Sequence, residues 1–528
     1  MSPILGLQLL LVAAGAIAVS AMARRKGWPA PLLLVAAGLL ASPLVPAVPL
    51  DPELVLFVFL PPLLYSAALD SSYLRLRDVK RAVLLLSIGL VLFTTAVVGL
   101  LVHLLLPDLP LALAFALGAI IAPPDAVAAV AVGRRLGLPR RTLTILIGES
   151  LFNDATALTA YRVAIGAAVG GTVDLVESIG AFFIAAAGGV AIGLALAFLF
   201  AWVFQHTRDS LVENTLMLLI PFAAFFAAET VHASGVIAVV IVGLYLGYRM
   251  HLRGFGTRLV SDAVWKVTDF FLETIVFALI GLQLVTVIQG IGGYSAWAVA
   301  GYAAAVLAVT ILSRFVWVFT ATFLTRALVR NARVPAPTPK QAVILSWAGM
   351  RGVVSLAAAF AIPPEVPPRD RAMLLFLTFT TVIGTLLIQG MTFPALIRRL
   401  GVTSTQEQYE DRLAEAAAQQ AALEAGLAEL ERLVAEQDGE PDEIQKQVID
   451  QLREKSWRRS LTAWERLGGG TGHGGAETPS ALYRRLRRDM LQAERQVFVR
   501  LRDERRLDDE VLREVMAQLD FEEAILER

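Results

Sequence analysis

Of the chain's 528 residues, 56% are hydrophobic and 17% charged, a balance that ordinary soluble domains do not show and that makes the bilayer the natural solvent. The 46 basic and 46 acidic side chains cancel, which removes any overall attraction to nucleic acid and leaves positive charge to be read by position. There is no cysteine, so disulfides, thiolate metal sites and cysteine nucleophiles are excluded.

A membrane-crossing helix needs about 20 mostly apolar residues. Such runs, numbered here 1 to 13, fall near 4–22, 31–48, 53–69, 82–105, 111–132, 142–168, 178–204, 211–228, 233–250, 264–288, 295–323, 341–362 and 372–394. Run 1 ends in Ala21-Met22-Ala23, which looks like a signal-cleavage site. It is read as a retained helix, because no positive charge precedes it and Arg24, Arg25 and Lys26 follow it. Basic residues then collect after every second run. They are Arg75, Arg77, Lys80 and Arg81 after run 3, Arg134, Arg135, Arg140 and Arg141 after run 5, and Arg208 after run 7. Arg249, Arg253 and Arg258 follow run 9, and Arg326, Arg330, Arg333 and Lys340 follow run 11. Only Arg369 and Arg371, between runs 12 and 13, break the alternation. Short basic loops stay in the cytoplasm, so the expected topology has the N-terminus outside and the C-terminus inside a plasma membrane.

Thirteen crossings place runs 1–6 and 8–13 in opposite orientation with run 7 as a linker, the inverted-repeat architecture of secondary transporters. In such folds the substrate site lies where corresponding helices are interrupted. Run 5 is broken by Pro123 and Pro124 just before Asp125, and its counterpart, run 12, carries Gly349 and Gly352 around Arg351. The expected fold is therefore all-α and polytopic, with discontinuous helices at runs 5 and 12.

A charge at the bilayer centre costs about 2.5–3.5 kcal/mol on insertion scales, so each one needs a partner or a wet cavity. The densest group is in run 6, where Glu149, Ser150, Asn153 and Asp154 fall within two turns and Arg162 lies further along. Ser150, Asn153 and Asp154, at i, i+3 and i+4, project to one side. Asp154 is the candidate carrier. A lone carboxylate in a low-dielectric site holds a proton or a desolvated monovalent cation but not both, and that competition couples two fluxes. The alternative is that Asp154 pairs with a base to hold helices together. Ser150, Asn153, Asp125 and carbonyls freed at the break supply the oxygen ligands that hard cations take. Asp125 either ligates the ion or offsets the broken helix ends. Glu149 and Arg351 are expected to neutralise each other as a structural ion pair between runs 6 and 12. Ser66, Glu273 and Arg162 are placed among the outer neighbours of the site, the role of Glu273 being open. Glu229 and His232 are read as interfacial.

From 396 the composition turns charged and rich in Ala, Glu and Arg, so 396–528 is expected to be a cytoplasmic helical tail on a membrane domain of 1–395. Apolar residues at helical spacing mark 405–436 and 480–527, with a glycine-rich hinge at 468–475. The tail is read as a solvated surface that packs, self-associates or binds a regulator.

GESLFNDATAL, APPDAVAAVAV, FLPPLLYSAAL at 59–69, FALIGLQL at 277–284 and SWAGMRGVVSLA together resemble the cation:proton antiporter family 1, the bacterial sodium/proton exchangers related to eukaryotic ones. The resemblance covers residues 1–400. It implies a homodimer whose core half moves against a dimerisation half, an ion-binding pair at Asn153-Asp154 with Ser150 as a further ligand, and an acid–arginine pair at Glu149 and Arg351. It also implies Na⁺ and H⁺ as cargo with no cofactor, and a single aspartate beside asparagine resembles the electroneutral members. Three positions depart from the family pattern: Pro124-Asp125-Ala126 stands for threonine-aspartate-proline, Ser66 for a frequent acid, and Glu273 for a frequent asparagine. These departures bear on cation selectivity, and K⁺/H⁺ exchange is the alternative within transport. A passive channel is a second class. An intramembrane enzyme is a third, against which stand five scattered histidines (His103, His206, His232, His251, His473) and the lack of an HExxH or GxSxG motif.

Overall fold

The computed structural model describes residues 3–26, 28–42, 55–170, 175–207, 209–328, 337–436, 442–467 and 477–527. The chain divides into two compact units, Met1–Thr403 and Ser404–Arg528. The division falls later than the composition change at 396 because the helix Met391–Leu400 completes the last apolar element.

In the first unit the described part of each apolar run lies on a helix or on a pair of half-helices, residues 43–54 of runs 2 and 3 lying outside the described residues, which contain no strand. Among the described residues, six helices are long and apolar enough to cross a membrane: Tyr73–Leu105, Gly180–His206, Ser210–Glu229, Phe255–Gly290, Ala296–Leu324 and Pro368–Leu400. The helix of run 6, Arg140–Gly170, is 31 residues long and falls outside that set through its charged residues rather than its length. Runs 5 and 12 fall outside it because each is cut in two, into Leu111–Ile121 and Val127–Arg135, and into Pro339–Trp347 and Val353–Phe360.

Local chemistry explains these boundaries. Pro123 and Pro124 cannot donate to the preceding turn, so the first half of run 5 stops at Ile121. Thr338 starts the first half of run 12 with a capping box: its hydroxyl accepts from the Gln341 N–H while the Gln341 side chain accepts from the Thr338 N–H. Wider π-helical turns interrupt runs 3, 4 and 13 at Val55–Phe59, Leu85–Leu90 and Leu386–Gly390. At the second of these the Leu85 carbonyl accepts from Trp317 Nε1 at 2.9 Å. Runs 2 and 10 touch backbone to backbone. A Cβ added at Gly38 would sit 2.5 Å from the Ala278 carbonyl oxygen, and one at Gly281 would sit 2.4 Å from that of Val35. Close approach through small residues is how helices pack where lipid offers no hydrophobic drive.

The second unit contains the helices Thr405–Ala435, Glu443–Leu467, Pro479–Asp503 and Asp509–Glu527. The second of these lies between the two segments in which helical spacing is evident, and the glycine run 468–475 lies outside the described residues. The last two helices pack around Leu491, Leu519 and Leu526 and are laced by Arg487–Glu522 and Arg495–Glu523 ion pairs.

Candidate ion site at the crossing of two broken helices

The two interruptions meet. The Asp125 backbone N–H donates to the Met350 carbonyl at 2.7 Å, joining the break in run 5 to the break in run 12. Ending a helix at Ile121 strands its last carbonyls, and Arg351 reaches across to them. Its Nε donates to the Ile121 carbonyl at 2.8 Å and its Nη2 to that of Ala122 at 3.3 Å, while Nη1 bonds the carbonyl of Gly349. A buried cation thus sits at the negative end of a half-helix. Gly352 brings the backbone against Asp125, since a Cβ there would lie 1.9 Å from Asp125 Oδ2.

On the other side of the break, Asp125 Oδ1 accepts the Val127 N–H at 2.9 Å, occupying one of the free donors at the start of the second half-helix. Run 6 lies alongside. Asn153 Nδ2 donates to the Pro124 carbonyl at 2.7 Å, and only the NH₂ end of the amide can do so. Asn153 Oδ1 is buried without a hydrogen-bond partner. The Ser150 hydroxyl accepts a long contact, 3.5 Å, from the Ala126 N–H.

Asp154 is 5% exposed and lies on the wall of a cavity of about 330 Å³, together with Asp125, Ser150, Glu273 and Ser66. No lysine or arginine among the described residues is within ion-pair distance of it; the charge that acts on it is the like charge of Asp125. Two neighbouring carboxylates on one cavity wall disfavour each other's charge unless a proton or cation compensates them. A proton or a small cation is therefore the chemical complement of this wall.

The expected pair of Glu149 with Arg351 is not what the structure contains. Both carboxylate oxygens of Glu149 are held by Arg314 of run 11, one contact being Nη2–Oε2 at 2.8 Å, and Arg314 Nε also donates to the Leu345 carbonyl at 2.9 Å. Glu149 and Arg314 are each 1% exposed. Arg351 is occupied with helix-end carbonyls, so a second guanidinium neutralises the acid. Arg314 escaped the sequence reading although it carries the signal of a charge amid an apolar run. Asp269 escaped it as well, four residues before Glu273 on the same helix. Ser66 Oγ donates to Asp269 Oδ1 at 2.8 Å on the cavity wall. Arg162 does not join this group. Its Nη2 grips both oxygens of Glu229 at 3.1 and 3.0 Å, at a partly exposed position away from the cavity lining.

The sequence profile described as "Sodium/hydrogen exchanger, transmembrane" matches residues 10–399. An uncharacterized Na⁺/H⁺ exchanger of Mycobacterium tuberculosis is 33% identical over 94% of this chain and 91% of its own length. A sodium, potassium, lithium and rubidium/H⁺ antiporter of Bacillus subtilis is 32% identical over 70% of this chain and 58% of its own. Among solved structures, the sodium proton antiporter MjNhaP1 of Methanocaldococcus jannaschii at pH 8 has the same fold, with a TM-score of 0.58 at 21% identity over 75% of this chain and 97% of that one. With its apolar helices, interrupted pair and buried acids accounted for, this multi-pass membrane chain belongs to the sodium/hydrogen exchanger family.

Proposed function

We propose that this chain exchanges Na⁺, and other alkali cations of similar size, for H⁺ across the plasma membrane, one for one, with Asp154 holding either cargo in turn. The observation that carries the reading is Asp154 itself: a buried carboxylate at the crossing of two broken helices, with no counter-charge within ion-pair distance among the described residues. Proton and cation compete for this one group, so neither crosses as net current. Ser150, Asn153 and Asp125 supply neutral and anionic oxygens at the same crossing, and the Glu149–Arg314 pair and the Arg351 cap hold the frame. Thirteen crossings in inverted halves, the N-terminus outside and a homodimer complete the reading. The breadth of cations named for the Bacillus subtilis relative supports an oxygen-lined site with loose size selection.

The test is flux in proteoliposomes under an imposed pH gradient with Na⁺, K⁺ and Li⁺. Proton movement should follow addition of at least one cation and be insensitive to a collapsed membrane potential. Cation movement without proton counter-movement would make the chain a channel. Asp154→Asn should insert at normal yield and lose exchange by at least ~100-fold, the expectation for removing the only titrating carrier. Exchange at the wild-type rate in that variant would remove Asp154 from the mechanism.

A further inference from the structure

The cavity that reaches Asp154 is longer than the site needs. Along the second half-helix of run 5 its wall is Val127, Val130, Ala131 and Arg134, the i, i+3, i+4, i+7 stripe of one helix face, covering roughly 10 Å of axis at 1.5 Å per residue. Along run 3 it continues through Ser66 to Asp70. Both stripes end beside the basic connections after runs 3 and 5, whose arginines and lysines lie on the helix ends Tyr73–Leu84, Val127–Arg135 and Arg140–Gly170, so we read the cavity as a passage from that basic face to the crossing.

Acids mark that passage in sequence. Asp70 is a like charge acting on Asp269, Asp269 and Asp125 are like charges acting on Glu273, and Asp125 acts on Asp154. Asp269 and Glu273, at i and i+4, lie about 6 Å apart on the same face of Phe255–Gly290. Two cations stand nearby: Arg24, seated 4.7 Å over the ring of Phe270, attracts Glu273, and Arg134 on the cavity wall attracts Asp70, but neither is within ion-pair distance of Asp269 or Glu273. On the same helix Lys266 is engaged by Asp262 at 2.7 Å. The same cavity is lined by a further polar group of run 12. Ser355, in the first turn of the second half of run 12, is 1% exposed, lines this cavity, and its hydroxyl has no hydrogen-bond partner. A buried hydroxyl left unpaired is costly unless something else fills its valence.

We propose that Asp269 and Glu273, with the hydroxyls of Ser66 and Ser355, form a second binding station that captures a partly hydrated monovalent cation from the basic-loop side before it reaches Asp154. This rests on the exchange reading above and extends it. Asp154 determines whether exchange occurs; the outer station determines how much cation is needed. Ser66 holds the Asp269 carboxylate toward the passage.

Concentration dependence of exchange in proteoliposomes, measured on the full chain, separates these roles. Glu273→Gln and Asp269→Asn should each raise the apparent KM for Na⁺ by ~10-fold, with the maximal rate falling much less. Because Ser66 and Asp269 touch, Ser66→Asp placed in the Asp269→Asn background returns a carboxylate to the same point from the facing helix and should recover most of the affinity. A purely structural role would lower the amount of folded protein without moving KM, and would not be rescued by relocating the charge. If either acid variant fails to insert, Ser355→Ala, which changes no charge, should still raise KM by ~3-fold. An unchanged KM in the variants that insert, or no rescue by the relocated carboxylate, overturns the outer station. A wild-type chain that exchanges none of Na⁺, K⁺ and Li⁺ would instead overturn the exchange reading.

Discussion

A glutamate and an arginine that are both about 1% exposed keep their charges only against each other, and the two halves of such a pair are not equivalent to their sum. Arg314→Ala leaves Glu149 as an uncompensated buried charge and should destabilise the membrane unit by about 3–5 kcal/mol. Replacing both, as Glu149→Leu with Arg314→Met, should recover most of that loss, because packed apolar side chains of similar volume often match a buried ion pair. Thermal unfolding of the detergent-solubilised protein reads both; a double variant as unstable as the single one would show that the pair is not the source of the cost. Gly352 makes a second residue-scale case. Gly352→Ala drives a methyl to 1.9 Å from Asp125 Oδ2 and should abolish exchange, whereas Gly390→Ala, whose methyl meets only Met350 Sδ at 3.4 Å, should be tolerated in the same flux assay. At this scale the sequence makes the existence of buried charges plain and leaves their partners hidden. Asp154, Asn153 and Asp125 are legible from spacing and from the proline break. Whether Glu149 meets Arg351 or Arg314 depends on how three helices are rotated about their axes, which only packing decides.

Helices and their interruptions are the most legible layer, since hydropathy and proline act locally. Arg140–Gly170 outruns the apolar window 142–168 at both ends, and Phe255–Gly290 begins well before 264, because polar first and last turns extend past the apolar stretch that marks them. The π-helical turns are invisible in composition, as one residue more per turn leaves no periodic trace in five or six positions. In the tail, the helix pair Pro479–Asp503 and Asp509–Glu527 shows what surface charge contributes. Arg487 holds the Glu522 carboxyl below its ordinary range by direct hydrogen bonding. A group so depressed adds stability above its unfolded pKa of about 4.3 and loses it as pH falls through the lower folded value. At matched pH the wild type should therefore be cleaved by pepsin in the loop between the two helices more slowly than Arg487→Ala above about pH 4.3, and the two should converge as pH falls below it. The effect is small, because exposed pairs contribute about 0–1 kcal/mol each.

At the scale of the whole molecule, the expected orientation rests on charge asymmetry alone, and the lack of cysteine in the sequence makes it directly testable. Asp78→Cys, in the basic segment after run 3, should react with an impermeant maleimide only when the cytoplasmic face is exposed, and Asp108→Cys, after run 4, only from outside. The reverse pattern would invert the assigned topology. Such labelling also counts crossings, which length and hydropathy do for six helices among the described residues but not for those cut in two. The cut helices are where a global rule, one long apolar stretch per crossing, gives way to the local demand for free carbonyls and an acid at the break.

Beside the Arg351 side chain, the hydrogen bond from the Asp125 N–H to the Met350 carbonyl joins the two interruptions by a strut made of main chain alone. No exchange of one side chain for another removes either partner unless proline is put at 125. A genetic screen or alanine scan of these segments would thus record losses at Asp125, Arg351 and Gly352 and pass over the strut itself. Its contribution becomes measurable by backbone chemistry: an ester in place of the amide at 125 deletes the donor and keeps every side chain.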